Sequence, residues 1–326
     1  MLMNISWYGS EAQDTQIKGF VDVLTTYQDD KLSFGLGEQD LFITSELTDR
    51  ITFLGESVFK FGMSPTSFNV SIERIVLKYN FKGNHNILIG KHHTPLNYWN
   101  DTYHHGRVFF PTIYRPLLFS SNVIPLHTTG IGVQGENLGK LKLGYDVMAG
   151  NGIGSSDISD NDKYKSLTAA LHIKPFEKWR VGGSVYYDKI SPGFITHHGS
   201  ADTVDFVITQ LIYSGSLSYF GKRFELLTEG SLVTNSMDSI GTTTSVAFYG
   251  YGGIKFAKKF TGYARYDLIN FDTNEIYFDN DNKMTVLAGI RFQVNYLVVV
   301  KLEYQYDESD RNGINNMVTG QVAIGF

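Results

Sequence analysis

Residues 140–150 read KLKLGYDVMAG, and apolar side chains occupy every second position of this stretch. Successive side chains of a β-strand point to opposite faces, so this alternation predicts a strand with one apolar and one polar face. The predicted apolar face consists of Leu141, Leu143, Tyr145, Val147 and Ala149. The length of the stretch matches the roughly 9–11 residues with which a tilted strand crosses a bilayer.

The same alternation recurs along nearly the whole chain, and no segment keeps a helical period. It predicts 16 strands, most of them about 10–14 residues long, whereas strands of globular proteins commonly have about 5–6 residues. The predicted strands are 17–27, 39–48, 50–61, 68–80, 85–94, 127–136, 139–150, 164–175, 178–189, 204–220, 222–234, 244–257, 260–271, 282–293, 296–307 and 315–326.

The connections between these strands alternate between short and long. The long connections are predicted at 28–38, 62–67, 95–126, 151–163, 190–203, 235–243, 272–281 and 308–314. Seven short connections join the remaining pairs of consecutive strands. An even number of antiparallel strands, with short turns at one end and long loops at the other, is typical of a bacterial outer-membrane β-barrel. The fold class predicted is therefore all-β, an antiparallel transmembrane barrel of 16 strands.

The composition agrees with this prediction and argues against other classes. The chain has 33 glycines, 20 tyrosines and 23 phenylalanines but only 7 prolines, which favours strands over packed helices. A net charge of −5 argues against a nucleic-acid-binding protein. The absence of cysteine fits a chain that crosses an oxidising compartment and needs no disulfide bonds.

Two soluble all-β folds are the alternatives. A β-propeller would repeat sequence motifs at intervals of about 40–50 residues, and no such repeat is found. A β-sandwich would have shorter strands whose apolar faces pack against a second sheet. A sheet in lipid must instead close on itself, because lipid offers no hydrogen-bond partners to an open edge.

The whole chain resembles the porins of the Gram-negative outer membrane. The resemblance depends on 16 strands, eight loops, an unusually long third loop and a last strand that ends in Phe326. In this family, the terminal aromatic residue and the alternating apolar residues before it, here Val322 and Ile324, resemble the signal that the barrel-assembly machinery reads. The resemblance implies that residues 95–126 fold into the lumen and narrow it. It carries no signature for a particular solute.

The domain organisation that follows is simple. Residues 1–16 are predicted to be an N-terminal periplasmic segment, and residues 17–326 a single barrel domain. The stretch MLMNISWYGSEAQD lacks the basic and apolar regions of a secretory signal.

If the apolar face of each strand meets lipid, the other face lines the pore. Arginines of the late strands are the candidates for a basic wall opposite Asp101 of the long loop, and they are accompanied by acidic residues. The predicted wall residues are Arg223, Arg265, Arg291, Glu225 and Asp267. Ion pairing that stiffens the wall is the alternative interpretation of these charges. Positive and negative charges nearly balance on this face, which predicts weak ion selectivity.

The long loop contains HHTPLNYWNDTYHHGRVFFPTIYRP at 92–116. As a constriction loop, it would pack its aromatic residues on the wall and expose Asp101, His104, His105, Arg107 and Arg115 to water. As a plug or docking surface, it would make the barrel an accessory subunit of an outer-membrane complex, since aromatic residues and arginine dominate many interfaces.

Chemistry in the same loop is the third interpretation. Histidines 92, 93, 104, 105 and 127 would have to gather around a metal ion, or Asp101 would have to act with a histidine. No Gly-x-Ser-x-Gly motif and no regular metal-ligand spacing is present, so we expect neither an enzyme nor a metal site, and no cofactor.

The sequence therefore predicts an integral outer-membrane porin for passive diffusion of small polar solutes or ions. The expected partners are outer-membrane lipid, lipopolysaccharide, the barrel-assembly machinery, and further copies in a homotrimer or a larger complex; nucleic acid is not among them. The short loop 62–67 puts in doubt the latch that holds many porin trimers together.

Overall fold

The computed structural model describes residues 14–61, 68–103, 106–153, 160, 162–192, 206–239 and 241–326. The strands are β1 (Asp14–Gln28), β2 (Lys31–Thr48), β3 (Ile51–Phe61), β4 (Phe68–Lys82), β5 (His85–His93), β6 (His127–Leu138), β7 (Leu143–Gly150), β8 (Ser166–Ile173), β9 (Trp179–Ile190), β10 (Ile208–Phe220), β11 (Phe224–Met237), β12 (Gly241–Ala257), β13 (Phe260–Asn270), β14 (Lys283–Asn295), β15 (Val298–Ser309) and β16 (Gly313–Gly325). Two short helices, α1 (Tyr98–Thr102) and α2 (Leu117–Ser120), lie between β5 and β6.

Every strand pairs antiparallel with its neighbours in the chain, and β16 pairs with β1 to close the barrel. The closing register places Phe20 opposite Gly325 and Tyr27 opposite Val318. Closure leaves no open sheet edge, which satisfies the requirement that lipid imposes on a sheet. The predicted fold of 16 antiparallel strands is confirmed.

The alternation seen in the sequence corresponds to the two faces of the wall. In β7, Val147 faces outward with 54% of its surface exposed, whereas Met148 faces inward and is 2% exposed. In β16, Val318, Val322 and Ile324 are all outward and exposed. The outer surface is accordingly an apolar band of the kind that lipid covers.

Aromatic side chains border this band at the short-turn end. Trp179 and Tyr219 lie side by side with ring centroids 4.9 Å apart, and Phe260 stacks on Phe292 at 4.7 Å. Tyr296, in the turn between β14 and β15, is 78% exposed. Such rings occupy the interface between hydrocarbon and water.

The first predicted loop differs from the structure. Strand β2 begins at Lys31, so the connection predicted at 28–38 is a two-residue turn of Asp29 and Asp30. Both residues have positive φ, 49° and 58°, as a type I′ hairpin turn requires and as aspartate tolerates. The last predicted loop, 308–314, is likewise shortened to a turn at Asp310–Asn312.

Bulges explain why some strands alternate poorly in the sequence. The β1–β2 register shifts between Val21 and Val23, and the β3–β4 register shifts opposite Glu73. An extra residue in one strand breaks the period of two at that point. Among the described residues, no helix is long and apolar enough to span a membrane.

Part of the barrel interior is an apolar core rather than open lumen. Inward residues of β9 to β14, such as Ile212, Leu227 and Tyr249, are fully buried against side chains of the segment between β5 and β6. Tyr277 and Phe278, from the connection between β13 and β14, belong to the same cluster.

Candidate functional site

The described residues of the segment 95–126 lie inside the barrel, and their apolar side chains anchor them to one side of its wall. Trp99 of α1 is 1% exposed, and its ring lies 6.1 Å from that of Tyr249 on β12. Phe110 and Phe119 pack on the same tryptophan, with centroid distances of 5.3 and 6.2 Å. This cluster places α1 and α2 against the wall formed by β11 to β13.

The two ends of the segment are tied together by one side chain. The Asn100 amide nitrogen donates to the carbonyl oxygens of Thr94, at 2.9 Å, and Leu126, at 3.0 Å. Asn100 is fully buried, so these bonds are shielded from water. The entry and exit of the segment are thereby fixed relative to α1.

A carboxylate of the wall holds the first turn of α1. Glu229 on β11 accepts hydrogen bonds from the backbone nitrogens of Tyr98 and Trp99, the latter at 2.9 Å. The Tyr249 hydroxyl also donates to Glu229. The first amides of a helix have no partner within the helix, so this acceptor satisfies two of them.

An arginine–aspartate pair on β13 holds the middle of the segment. Arg265 donates to Asp267 at 2.7 Å, to the Thr112 hydroxyl at 2.5 Å and to the Tyr114 carbonyl at 2.6 Å. Asp267 in turn accepts from the backbone nitrogen of Leu117 at 3.0 Å. Both charged groups are buried and saturated with partners, so they act as a clamp.

Strand β15 supplies a second clamp of opposite charges. Lys301 donates to the carbonyl oxygens of Arg107, at 2.8 Å, and Thr112, at 3.0 Å. Glu303 accepts from the backbone nitrogen of Ile113 at 2.8 Å. The same segment is therefore held from β11, β13 and β15.

Arg107 binds the segment to β1 and β2, which lie beyond the pairing of β16 with β1 that closes the barrel. Its guanidinium lies 3.4 Å from Asp22 on β1 and 3.2 Å from Glu38 on β2. Burial disfavours the charged guanidinium, but the two carboxylates outweigh burial and raise the pKa of Arg107. This arginine stays charged at any physiological pH.

The opposite side of the lumen stays open. A cavity of about 340 Å³ is lined by residues of β2 to β7 and by Asp101, and another of about 620 Å³ extends from Asp101 to the short turns. Asp101 and Glu136 line both cavities. A third cavity, of about 640 Å³, lies on the other side of the segment and is lined by Glu38, Lys60 and Arg115 among others.

Opposite charges face each other across the open side. Asp101, with 48% of its side chain exposed, lies 3.6 Å from Arg180 of β9. The Arg180 guanidinium also covers the ring of Tyr98 at 4.8 Å from its centroid. Asp146 and Lys142, on or next to β7, line the cavities nearby. Both signs of charge therefore lie within a few ångströms of each other beside these cavities.

The residues predicted from the sequence are therefore divided between the two sides. Asp101 faces the open cavities, Arg107 and Arg265 bind the segment to the wall, and Arg115 lines the third cavity. His104 and His105 lie outside the described residues.

The predicted basic wall opposite Asp101 does not form as expected. Arg265 and Arg291 bond the segment and buried carboxylates: Arg291 donates to Glu225 at 2.9 Å and to the Pro111 carbonyl at 3.3 Å. Arg223 lies in the exposed turn before β11, where its guanidinium covers the ring of Phe224. The arginine beside Asp101 is Arg180, because α1 turns toward β9 and away from β13 and β14.

The clamping role of Glu229, Lys301 and Glu303 was not predicted, although the alternation places all three on the inner face. The available signal is the spacing of Glu225 and Glu229, two acids on the inner face of β11 that flank the buried Leu227. An acid among buried apolar neighbours needs hydrogen-bond donors, and the segment provides them.

Histidines also line the open side. His92 and His93 contribute to the cavity of about 340 Å³, and the His93 ring lies 5.5 Å from that of His127. His127 is 3.1 Å from Glu73. Within the described part of the chain, no group of three or more His, Cys, Asp or Glu residues is arranged to hold a metal ion.

The closing strand carries the predicted assembly residues. Phe326 exchanges two backbone hydrogen bonds with Gly19 of β1, each 2.9 Å long, and its ring is 57% exposed on the outer surface. Val322 and Ile324 share that outer face.

The fold is that of solved outer-membrane channels. The chain is similar to the outer membrane channel DcaP of Acinetobacter baumannii, with a TM-score of 0.71, 16% identity, and coverage of 98% of this chain and 99% of the other. It is also similar to OmpT, an outer membrane protein of Vibrio cholerae, with a TM-score of 0.69, 13% identity and coverage of 98% and 99%. A third similar structure is an anion-selective porin from Comamonas acidovorans, with a TM-score of 0.68, 11% identity and coverage of 96% and 100%.

No protein-family model and no curated protein matches the chain. The likeness in structure covers 96% or more of the chain, so the chain has the fold of the porin-type β-barrels. At such low identity, the comparisons establish the fold only. The class of solute has to be inferred from the residues that line the lumen.

Proposed function

We propose that this barrel is a passive outer-membrane channel with an off-centre pore for small polar solutes or ions. The segment 95–126 is the constriction. Its clamps to β11, β13 and β15 fill one side of the lumen, and the solute path follows the opposite side, along β4 to β9. The single observation that supports this proposal most strongly is the exposed Asp101 opposite Arg180, where the segment faces open cavities instead of the wall.

The chemistry of this path explains the class of solute. Charged groups such as Lys78, Glu136, Asp146 and Lys142 keep the cavities hydrated, so polar solutes enter without losing contact with water. Both signs are present, which favours weak selectivity over the strong selectivity of a ring of one sign. Diffusion needs no catalytic residue, and we propose no enzymatic activity and no cofactor for this protein.

A plugged barrel is the second candidate function. The buried apolar cluster of Trp99, Phe119 and Tyr249 supports it, because such a core is packed like the interior of a soluble domain. The connection between β13 and β14 adds Tyr277 and Phe278 to it. A barrel sealed in this way would serve as an accessory subunit of an outer-membrane complex.

Because the chain has no cysteine, a single engineered thiol distinguishes these functions. Asp101→Cys is reconstituted in a planar bilayer, and single-channel current is recorded before and after addition of a charged methanethiosulfonate reagent. For an open pore beside Asp101, we expect discrete channels whose current falls in one step on modification. Asp238→Cys, in the exposed turn after β11, is the matched control and should not respond.

The outcomes separate the two candidates. A silent wild type, together with a silent D101C variant, contradicts the diffusion channel and supports the plugged barrel. Conducting channels that are insensitive to modification at position 101 contradict the location of the path and leave the channel function standing.

The partners of the barrel are part of this proposal. We propose that the apolar outer band contacts outer-membrane lipid and lipopolysaccharide, that the barrel-assembly machinery inserts the chain, and that copies associate as a homotrimer. Cross-linking of the protein in intact membranes, followed by sizing without heating, tests the association.

A further inference from the structure

The short turns of the barrel carry a dense set of cations, which we call the basic rim. It comprises the Lys and Arg residues of the seven short turns and of the strand ends next to them: Arg50, Lys82, Lys140, Lys142, Lys174, Lys178, Lys222, Arg223, Lys258 and Lys259. The same positions contain only two acids, Asp49 and Glu177. This end of the barrel is therefore strongly positive, although the chain has a net charge of −5.

The opposite end has the reverse charge. The described connections at that end other than 94–126, with the strand ends next to them, hold the acids Asp29, Asp30, Asp160, Asp162, Asp238, Asp272, Glu275, Asp279, Asp281 and Asp310, against the bases Lys31, Lys163, Lys165, Lys283 and Arg311. The charge of the chain is thus sorted by depth along the barrel axis. Solubility alone would need only scattered surface charges. The separation of the charges therefore indicates that the two ends of the barrel face different surroundings.

Internal pairing does not account for the basic rim. Lys178 has a carboxylate neighbour, Glu177 at 3.5 Å, while Lys174 bonds the Asn137 side chain and Lys259 the Val294 carbonyl. The other cations of the rim are exposed and make no ion pair within the described part of the chain. Lys140, Lys142, Lys174 and Lys178 also line the cavity that extends to the short turns, so the charges available to an external partner are those of the other six cations.

The arrangement of the cations identifies the kind of partner. These six lie at the short turns after β2, β4, β10 and β12, on opposite sides of the barrel, whereas a docked protein would contact one sector. They also lie at the depth of the outward aromatic rings, beside Trp179, Phe256 and Phe260. Aromatic rings together with lysine and arginine at one depth are typical of a membrane interface, and the partner that surrounds a barrel at this depth is lipid.

We propose that the basic rim binds the phosphate groups of anionic phospholipids in the leaflet at the short-turn end. Lysine and arginine near a membrane surface attract anionic headgroups, and this attraction falls off over about a Debye length. The barrel then gathers anionic lipid around this end while its acidic loops face the other side. The binding does not depend on whether the pore is open.

Tryptophan fluorescence tests the proposal, because the three tryptophans differ in environment. Trp179 precedes the inward-facing Arg180 and lies on the outer face beside the rim, whereas Trp99 is buried in the lumen. Trp7, which lies outside the described residues, is replaced by phenylalanine in all variants. The protein is reconstituted in phosphatidylcholine vesicles that contain equal mole fractions of either brominated phosphatidylglycerol or brominated phosphatidylcholine, and quenching of Trp179 is compared.

At low salt, we expect brominated phosphatidylglycerol to quench Trp179 about twofold or more strongly than brominated phosphatidylcholine, and we expect 0.5 M salt to remove most of the difference. The variant K222Q/R223Q, which changes the turn nearest Trp179, should lose most of the preference. The control K163Q/K165Q removes the same charge at the loop end and should keep it.

Each other result overturns the proposal. Equal quenching by the two lipids in the wild type means that the rim gathers no anionic lipid. An unchanged preference in K222Q/R223Q means that other residues cause it. Loss of the preference with inorganic phosphate, but not with chloride of equal ionic strength, assigns the rim to free phosphate. Equal quenching together with binding of polyglutamate to the barrel in phosphatidylcholine vesicles assigns it to an acidic polymer.

Discussion

Arg291 of β14 and Glu225 of β11 meet inside the barrel, although two strands separate them in the wall. One guanidinium nitrogen of Arg291 lies 2.9 Å from both carboxylate oxygens of Glu225. The Tyr251 hydroxyl donates to the same carboxylate at 2.7 Å, and the second guanidinium nitrogen reaches the Pro111 carbonyl at 3.3 Å. Charges that the sequence places on a pore wall thus hold the inserted segment in position.

We expect replacement of Arg265 by methionine to loosen this segment and destabilise the barrel. The substitution removes three bonds to residues 112–115 and leaves Asp267 buried without its cation, and breaking a buried pair commonly costs about 3–5 kcal/mol. The midpoint of urea unfolding in detergent micelles, read from the mobility of unheated protein on gels, measures the effect. Arg223→Met, in the exposed turn, is the control and should leave the midpoint unchanged; a similar loss in both variants would mean that Arg265 has no special role.

Removal of the Glu229 carboxylate should release the first turn of α1. Glu229→Ala leaves the backbone nitrogens of Tyr98 and Trp99 and the Tyr249 hydroxyl without an acceptor, and we expect a loss of about 2–3 kcal/mol. Glu229→Gln retains one acceptor oxygen and should fall between the wild type and the alanine variant in the same unfolding assay.

The channel current gives a second measurement for Glu229. A released α1 should add flicker to single-channel records of Glu229→Ala, which the exposed control Glu177→Ala should not show. Steady, wild-type currents in the Glu229→Ala variant would contradict the role of this clamp in fixing the pore.

The pair Asp101 and Arg180 should set the weak ion selectivity. Asp101→Asn removes a negative charge from the open side, so we expect the anion-to-cation permeability ratio to rise about two- to threefold at low salt. Arg180→Gln should shift the ratio in the opposite direction. Reversal potentials in a potassium chloride gradient measure both, and Asp238→Asn at the loop end is the control; shifts of the same sign in the two variants would falsify the proposed role.

Phe326 should matter more for assembly than for stability. Its ring lies on the apolar outer surface, as does the side chain of Ile314, so Phe326→Ala should lower the free energy of unfolding in detergent micelles about as much as Ile314→Ala does, by roughly 1–2 kcal/mol. If the terminal ring is read during insertion, the amount of folded barrel recovered from cell envelopes should fall severalfold. Ile314→Ala is a matched control, because Ile314 is a similarly exposed apolar residue at the other end of β16. Equal recovery of the two variants would remove Phe326 from the assembly signal.

The sequence by itself determined the wall of this barrel. Alternation such as that of Val147 and Met148 is a local property, because lipid outside and lumen inside act on each strand separately. The number of strands, their order and most inward-facing charges follow from that pattern. The pattern is weakest where a bulge inserts a residue, as Glu73 in β4, and at residues 28–38, where aspartates that form a tight turn resemble a loop.

Only the tertiary structure decided how the lumen is used. Alternation assigns Arg265, Glu229 and Lys301 to the inner face, but it says nothing about the loop atoms that they meet more than a hundred residues away along the chain. Those contacts depend on the path of residues 95–126 across the barrel, which is determined by the burial of Trp99 and its neighbours. Apolar burial is non-directional, so only the closed wall determines on which side of the lumen this core forms. Its position on that side leaves Asp101 facing Arg180.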